Sequence, residues 1–283
     1  MHCRGKHLNF DSHTHIMGIL NCTPDSFYSK SRKPNIKSAI ETGLRMVEEG
    51  ADILDVGGES TRPGSESVSV EEESKRVLPV IQELLHCVSV PISVDTSKSM
   101  VAQKALDLGA HIINDISALQ FDPQMVNVVS RFSAGVILMH IKGLPQNMQK
   151  NPTYRNVVAE IREYFQERIT FARQHGIHNE HIILDPGLGF GKRLEDNYSI
   201  INNLHKIKEL GFPILLGPSR KSFIQRILDL PAEECLAGTT AAVTAGILNG
   251  AQIIRVHDVR EMRHVAKITD YLVQNNLKEF KDD

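Results

Sequence analysis

Residues 91–116 read PISVDTSKSMVAQKALDLGAHIINDI, and this stretch decides the fold. Pro91–Thr96 and His111–Ile116 are short, mostly continuous apolar runs, as expected of strands buried on both faces. Between them Ser97 can cap a helix that runs to Gly109, a residue suited to ending it. Strand, helix and strand in this order make a parallel βαβ unit.

The unit repeats outward in both directions. The other candidate strands are His15–Asn21, Ile53–Gly58, Gly135–His140, Ile182–Gly187, Pro213–Ser219 and Ile253–His257, which brings the total to eight. Ile36–Glu49 places Ile36, Ile40, Leu44 and Val47 on one helical face, with Gly50 to stop it. Ser69 and Glu72 have capping-box spacing ahead of Val77, Leu78, Ile81 and Leu85. Asp122-Pro123 reads as an N-cap with proline at the first helical position. Asn156–His175 is long and amphipathic and ends at Gly176, and a further helix over Asp196–Leu210 ends at Gly211. Ser219 can begin the next helix, Ala232–Leu248 adds a second helical stretch, and Asp258–Gln274 closes the pattern. The fold predicted is α/β, a single-domain (β/α)8 TIM barrel over residues 15–274. Residues 1–14 form an N-terminal extension and residues 275–283 a charged, frayed C-terminal tail. An open doubly wound sheet with an accessory domain is the competing architecture.

Composition narrows the function classes. The 283 residues carry 32 Lys+Arg against 34 Asp+Glu, a net charge of −2. That balance argues against a nonspecific grip on nucleic acid or an anionic membrane. No apolar run approaches the roughly 18 residues that span a bilayer, and the polar stretch MHCRGKHLNFDSHTH has no apolar h-region of a secretory signal. Cys3, Cys22, Cys87 and Cys235 are scattered without CxxC or disulfide-framework spacing, which fits a reducing cytoplasm.

In a barrel of this kind the active site lies at the C-terminal ends of the strands, and each strand gains a polar group there. Asn21 ends the first, and the second leads into Glu59, Thr61 and Arg62. Asp95 and Thr96, Asn114 and Asp115, and His140 follow in turn. Asp185 precedes a glycine loop to Lys192, Ser219-Arg220-Lys221 ends the seventh strand, and Arg255 and His257 end the eighth. The set divides into two electrostatic halves. Arg62, Arg220, Lys221, Arg255 and His257 are cationic and sit largely where barrels hold phosphate, aided by a helix N-terminus. Asn21 offers a neutral oxygen to Mg²⁺, directly or through water. Asp95, Asn114 and Asp185 suit a flat heterocycle with a guanidine-like edge, which a carboxylate binds through two parallel hydrogen bonds. The structural alternative is that Asp95 and Asp185 pair with barrel Lys or Arg.

The stretch NCTPDSF (21–27) resembles the first signature of the dihydropteroate synthase family of pterin-binding enzymes, and DVGGESTRPG (55–64) its second. VDTSK (94–98), IINDISA (112–118), LMHIKGLPQNMQ (138–149), DPGLGFGK (185–192), GPSRKSFI (217–224) and IIRVHDV (253–259) complete the set in order. The resemblance covers about residues 15–273. It implies a cytoplasmic folate-pathway transferase, a homodimer using Mg²⁺, that joins 6-hydroxymethyl-7,8-dihydropterin diphosphate to 4-aminobenzoate and is the target of sulfonamides. Neither nucleic acid nor membrane is an expected partner. Carried over, Asp95, Asn114, Met139, Asp185 and Lys221 hold the pterin. Asn21, Arg62, Arg255 and His257 serve the diphosphate, with Asn21 also at the metal. Thr61, Pro63, Phe190, Lys221 and Ser222 shape the aminobenzoate side, with Arg62 beside them. Asp95, Asp185, Lys221, Arg255 and His257 are the implied catalytic set. The family mechanism is ionisation at carbon: diphosphate departs, a methylene cation delocalises into the dihydropterin, and the arylamine attacks. Loops after the first two strands close to exclude water.

One block departs from the family pattern. Ser26-Phe27 continues as Tyr28-Ser29-Lys30-Ser31, with Ser29 where the family has Asp and without its two glycines. Two other functions compete: a pterin-binding barrel methyltransferase, which has no use for the diphosphate cations, and a non-enzymatic or weakly active pterin-binding paralogue, suggested by the altered loop. His13-Thr14-His15 has the look of the metal-binding HxH of amidohydrolase barrels, with His140 as a further ligand, but it precedes its strand rather than following it. Gly187–Lys192 matches neither GxGxxG nor GxxxxGK[ST]. Cys22, with no base beside it, reads as a small core residue.

Overall fold

A short antiparallel hairpin, β1 (His2–Cys3) and β2 (Lys6–His7), precedes the repeat. The computed structural model describes residues 1–23, 36–60, 64–65 and 67–279. Beyond the hairpin run β3 (His15–Asn21), β4 (Ile53–Gly57), β5 (Ile92–Asp95), β6 (Ile112–Asp115), β7 (Gly135–Met139), β8 (Ile182–Asp185), β9 (Leu215–Leu216) and β10 (Ile253–Val256). They form one 8-stranded sheet in the order β8-β7-β6-β5-β4-β3-β10-β9, every pairing parallel. A parallel bridge between Leu184 and Ile214 joins its two edges. The predicted (β/α)8 barrel is therefore present and the open doubly wound alternative is not.

The pleat explains how the strands serve two cores. Residues i and i+2 share a face. Ile16, Leu54, Ile92, Ile113, Val136, Leu184, Leu216 and Ile254 face outward and pack with helix residues such as Val77, Ile81, Leu106, Val129 and Phe165. Met17, Ile53, Ile112, Ile137, Ile183, Leu215 and Ile253 face inward and form a second apolar cluster with Cys3 and Leu8. The N-terminal extension is thus a plug that closes the barrel floor, anchored by Arg4, whose guanidinium donates to the carbonyls of Leu106 and Ala110. Two residues above that apolar layer, the same inward faces carry Asp55, Asn114, Met139, Asp185 and Arg255. The register aligns them: Asp95 pairs with Asn114, and Met139 with Asp185.

The helices are α1 (Ile36–Glu48), α2 (Val70–Cys87), α3 (Ser99–Leu108), α4 (Met125–Phe132), α5 (Val157–Gln174), α6 (Leu194–Asn202), α7 (Leu204–Lys208), α8 (Ser222–Leu228), α9 (Leu236–Leu248) and α10 (Val259–Glu279). Ser69 caps α2 by accepting from Glu72 N, and Asn156 caps α5 by accepting from Ala159 N. Ser97 does not cap α3. Lys98 occupies that position without a side-chain capping bond, and Ser99 N instead donates to Asp122 Oδ2 at 2.8 Å. Asp122 also accepts from Gln124 N, and α4 begins after it, at Met125.

Elsewhere the boundaries shift for local reasons. The helix expected over 196–210 starts at Leu194, where Arg193 and Asp196 bond reciprocally, and is broken at Asn203. The seventh strand shrinks to Leu215–Leu216 between Pro213 and Gly217-Pro218. Ser219 starts no helix, because its hydroxyl bonds His257, and α8 opens at Ser222. The stretch over 232–248 is a 3-10 turn, Ala232–Glu234, followed by α9. α10 runs on to Glu279, past the point where the tail was expected to fray. Among the described residues no helix is long and apolar enough to cross a membrane.

Candidate active site

The mouth is built by the upper inward residues of the strands and the loops that follow them. Asp95, Asn114, Asp185, Lys221 and Arg255 line one cavity with Ile116, Met139, Gly187, Leu188, Phe190 and Gly217. Polar groups thus converge from β5, β6, β8 and β10 and from the loop after β9. Met139 and Phe190 belong to a small apolar cluster with Ile116, Ile141 and Met148 that forms one wall.

Arg255 does not stand in a separate cationic half. Its Nε donates to Asp55 Oδ2 at 2.6 Å and its Nη2 to Asp95 Oδ2 at 2.7 Å. Asn114 Nδ2 donates to the same Asp55 oxygen at 3.0 Å. Asp55 is completely buried and was read in the sequence only as part of a signature. A charge inside the apolar strand Ile53–Gly57 was the available signal. Asp95 therefore meets the structural alternative weighed for it, pairing with a barrel arginine. Asp185 instead accepts from Gly187 N at 2.7 Å. Asn114 Oδ1 is buried and has no hydrogen-bond partner among the described residues.

Burial sets the electrostatics of the mouth. It raises Asp95 to about 7 against the pull of Arg255, with repulsion from Asp55 added. Burial also raises Asp185, opposed by the Gly187 N–H and by Lys221. Burial and then Arg255 lower Lys221 to about 8, while Asp185 and Asp95 resist. Arg255 keeps its charge: burial opposes it, but Asp55 and Asp95 hold it above its ordinary value. Lys221 lies 4.2 Å from the Phe190 ring centroid, a cation–π distance. The chain enters it through Arg220, whose left-handed φ of 57° is unusual for a side-chain-bearing residue. Arg220 itself turns to Asp258, at 2.5 Å, and is committed there.

The remaining expected residues are placed as follows. Asn21, half-buried, ends β3. His257 follows β10, its Nδ1 3.0 Å from Ser219 Oγ. Ser222 is the exposed first residue of α8. Thr61, Arg62, Pro63 and the departing loop at Tyr28–Ser31 lie outside the described residues. His13 and His15 sit at the opposite, N-terminal end of the barrel, where His13 Nε2 is 3.3 Å from Asp52 Oδ1. Cys22 is buried, and burial pushes its thiol up to about 12.

A (β/α)8 barrel whose mouth combines acids, an amide and a lysine with apolar walls is that of an enzyme for a small polar ring. The family described as pterin binding enzyme matches residues 17–257. Dihydropteroate synthase of Synechocystis sp. is 46% identical over 260 residues, 92% of this chain and 90% of the relative. The solved structure of Yersinia pestis dihydropteroate synthase with a sulfonamide drug complex superposes with a TM-score of 0.92 at 40% identity, covering 97% of this chain and 99% of the other. Dihydropteroate synthase from Xanthomonas albilineans in complex with 7,8-dihydropteroate gives 0.85 at 38% identity, over 94% and 95% of the two chains. The chain belongs to the dihydropteroate synthase family of pterin-binding enzymes, and it is a transferase.

Proposed function

We propose that the chain condenses 6-hydroxymethyl-7,8-dihydropterin diphosphate with 4-aminobenzoate, releasing diphosphate and forming 7,8-dihydropteroate. The observation that carries this reading is the convergence of Asp95, Asn114, Asp185 and Lys221 on one cavity beside Met139 and Phe190. Asp185 accepts from the amino-substituted ring edge. Asn114 supplies its unpartnered oxygen to a ring N–H, and Asp95 takes the opposite side of the ring. Lys221 borders pterin and aminobenzoate, and its cation fixes the approach of the arylamine beside Phe190, Ser222 and the Thr61–Pro63 segment. Met139 and the apolar wall keep water from the carbon that ionises.

Asn21 and His257, with Arg62 and Arg255, face the leaving group in this reading. Among the described residues no three acidic, His or Cys side chains gather as a metal cage. A lone Asn21 oxygen fits a Mg²⁺ that arrives on the diphosphate, since this ion is commonly held by few protein ligands plus substrate phosphates. When bound, it supplies charge neutralisation to the departing diphosphate.

A homodimer is supported by the apolar residues left exposed on neighbouring helices, Leu248 on α9 and Ile268 and Leu272 on α10. Four cysteines held as free thiols support a cytoplasmic setting. The test is incubation of purified protein with pterin diphosphate and Mg²⁺, with and without 4-aminobenzoate. Diphosphate release that requires the arylamine is expected. No release contradicts the reading, and release without arylamine contradicts the proposed exclusion of water.

A further inference from the structure

Lys192 lies behind the mouth, bonding the backbone of its lining loop rather than any of the side chains that line it. It is 3% exposed. Its Nζ lies within hydrogen-bond distance of three backbone carbonyls, those of Gly187 at 2.8 Å, Phe190 at 3.0 Å and His140 at 3.3 Å, and of His140 Nδ1 at 3.0 Å, so that its N–H groups are shared among four acceptors. None of the ion pairs among the described residues includes it. A buried ammonium without a touching carboxylate is expensive, and burial lowers this one to about 7, against Asp185. His140 is held well below its ordinary value by burial and by Lys192, so its Nδ1 is free to accept.

The backbone around Lys192 explains why a multiple N–H donor sits there. The loop Gly187–Gly191 is pressed onto the end of β7 so closely that a Cβ on Gly187 would lie 2.0 Å from His140 O, and one on Gly191 2.2 Å from Lys142 O. Both glycines have left-handed φ, 68° and 62°. This packing aims three carbonyl oxygens at one point, and like-signed dipoles need a positive centre between them. The same loop carries the mouth: Gly187 N holds Asp185, and the Phe190 ring lies against Lys221.

We propose that Lys192 is a positioning residue for the ring site, a tethered internal hydrogen-bond donor that clamps the converging carbonyls of His140, Gly187 and Phe190 and thereby fixes Asp185 and Phe190. The proposal rests on the reading of the mouth as a pterin site, and its test keeps the two apart. Lys192→Met keeps the length and apolar stem but removes the donors. Pterin Kd and the KM for pterin diphosphate should both rise about ten- to hundredfold, the scale of a lost charge-assisted hydrogen bond, with kcat less affected. Lys192→Ala should bind pterin weakly and recover at least tenfold in saturable fashion on adding ethylammonium chloride, but not sodium chloride of equal ionic strength. Pterin affinity unchanged in Lys192→Met overturns the proposal, as does Lys192→Ala that ethylammonium does not rescue.

A variant that folds poorly is read by its melting temperature, which ethylammonium should raise selectively in Lys192→Ala and not in wild type; equal response of the two overturns the clamp. Wild type that fails to bind pterin sinks the functional reading instead. The clamp is then judged by amide hydrogen exchange at Gly187 and Gly189, expected to be at least tenfold faster in Lys192→Met, and unchanged exchange refutes it.

Discussion

Asp55→Ala removes the carboxylate on which the mouth is assembled. Asp55 is completely buried, and one of its oxygens accepts from both Arg255 Nε, at 2.6 Å, and Asn114 Nδ2, at 3.0 Å. Deleting one partner of a buried ion pair costs about 3–5 kcal/mol, because the other charge is left behind. Asp95 still holds Arg255 Nη2 at 2.7 Å, which lowers the figure. The amide of Asn114 loses its acceptor, which adds about 1–3 kcal/mol if nothing replaces it. The two corrections roughly cancel, and the expected loss is about 3–5 kcal/mol. Urea unfolding followed by circular dichroism measures it. Arg255→Met completes a double-mutant cycle: removing both groups should cost less than the sum of the single losses, with coupling of about 2 kcal/mol. A loss below about 1 kcal/mol, or additivity within about 0.5 kcal/mol, would refute the claim that Asp55 organises Arg255.

Asp185→Ala should weaken pterin about a hundredfold or more through loss of two charge-assisted hydrogen bonds; near-normal kcat/KM in that variant would contradict its role. The pH profile of kcat/KM should be a narrow bell. Asp95, raised to about 7, is protonated and stops accepting below that pH, and Lys221, lowered to about 8, loses its charge above it. Asp95→Asn should shift the acid limb, and Lys221→Arg should carry the basic limb upward. Asp122→Ala should cost about 1–2 kcal/mol in thermal or urea unfolding, since it caps the starts of both α3 and α4. Burial works against that carboxylate, but the Ser99 and Gln124 amides hold it below its ordinary value. Its contribution is therefore present above the unfolded value of about 3.9 and is lost as pH falls through the lower folded value; the difference between variant and wild type should shrink in acid.

Much of the barrel was legible because buried parallel strands lack polar alternation, and seven of the eight expected runs contain strands of four residues or more. The ring of polar strand ends was legible for the same reason: a charge after Ile-Ser-Val or Ile-Ile-Leu stands out. What was missed depends on partners distant in sequence. Ser97 has the right chemistry for a cap, but Asp122 reaches the start of α3 first. Residues 1–14 read as an appendage because only Cys3 and Leu8 of their side chains are wholly apolar and buried in the barrel floor. Asp55 and Lys192 were visible as charges, but the direction of Asp55, and the carbonyls that require Lys192, exist only once the strands are closed into a barrel.

In the proposed mode of binding, Asp95, Asn114 and Asp185 together receive the guanidine-like edge of a pterin, with Lys221 and Phe190 toward the second substrate. A crystal structure with a pterin bound tests it most directly. The amino-substituted edge should lie within hydrogen-bond distance of the Asp185 carboxylate and the Asn114 oxygen, with the ring against Met139. A pterin held elsewhere, or turned with that edge away from both groups, would contradict it.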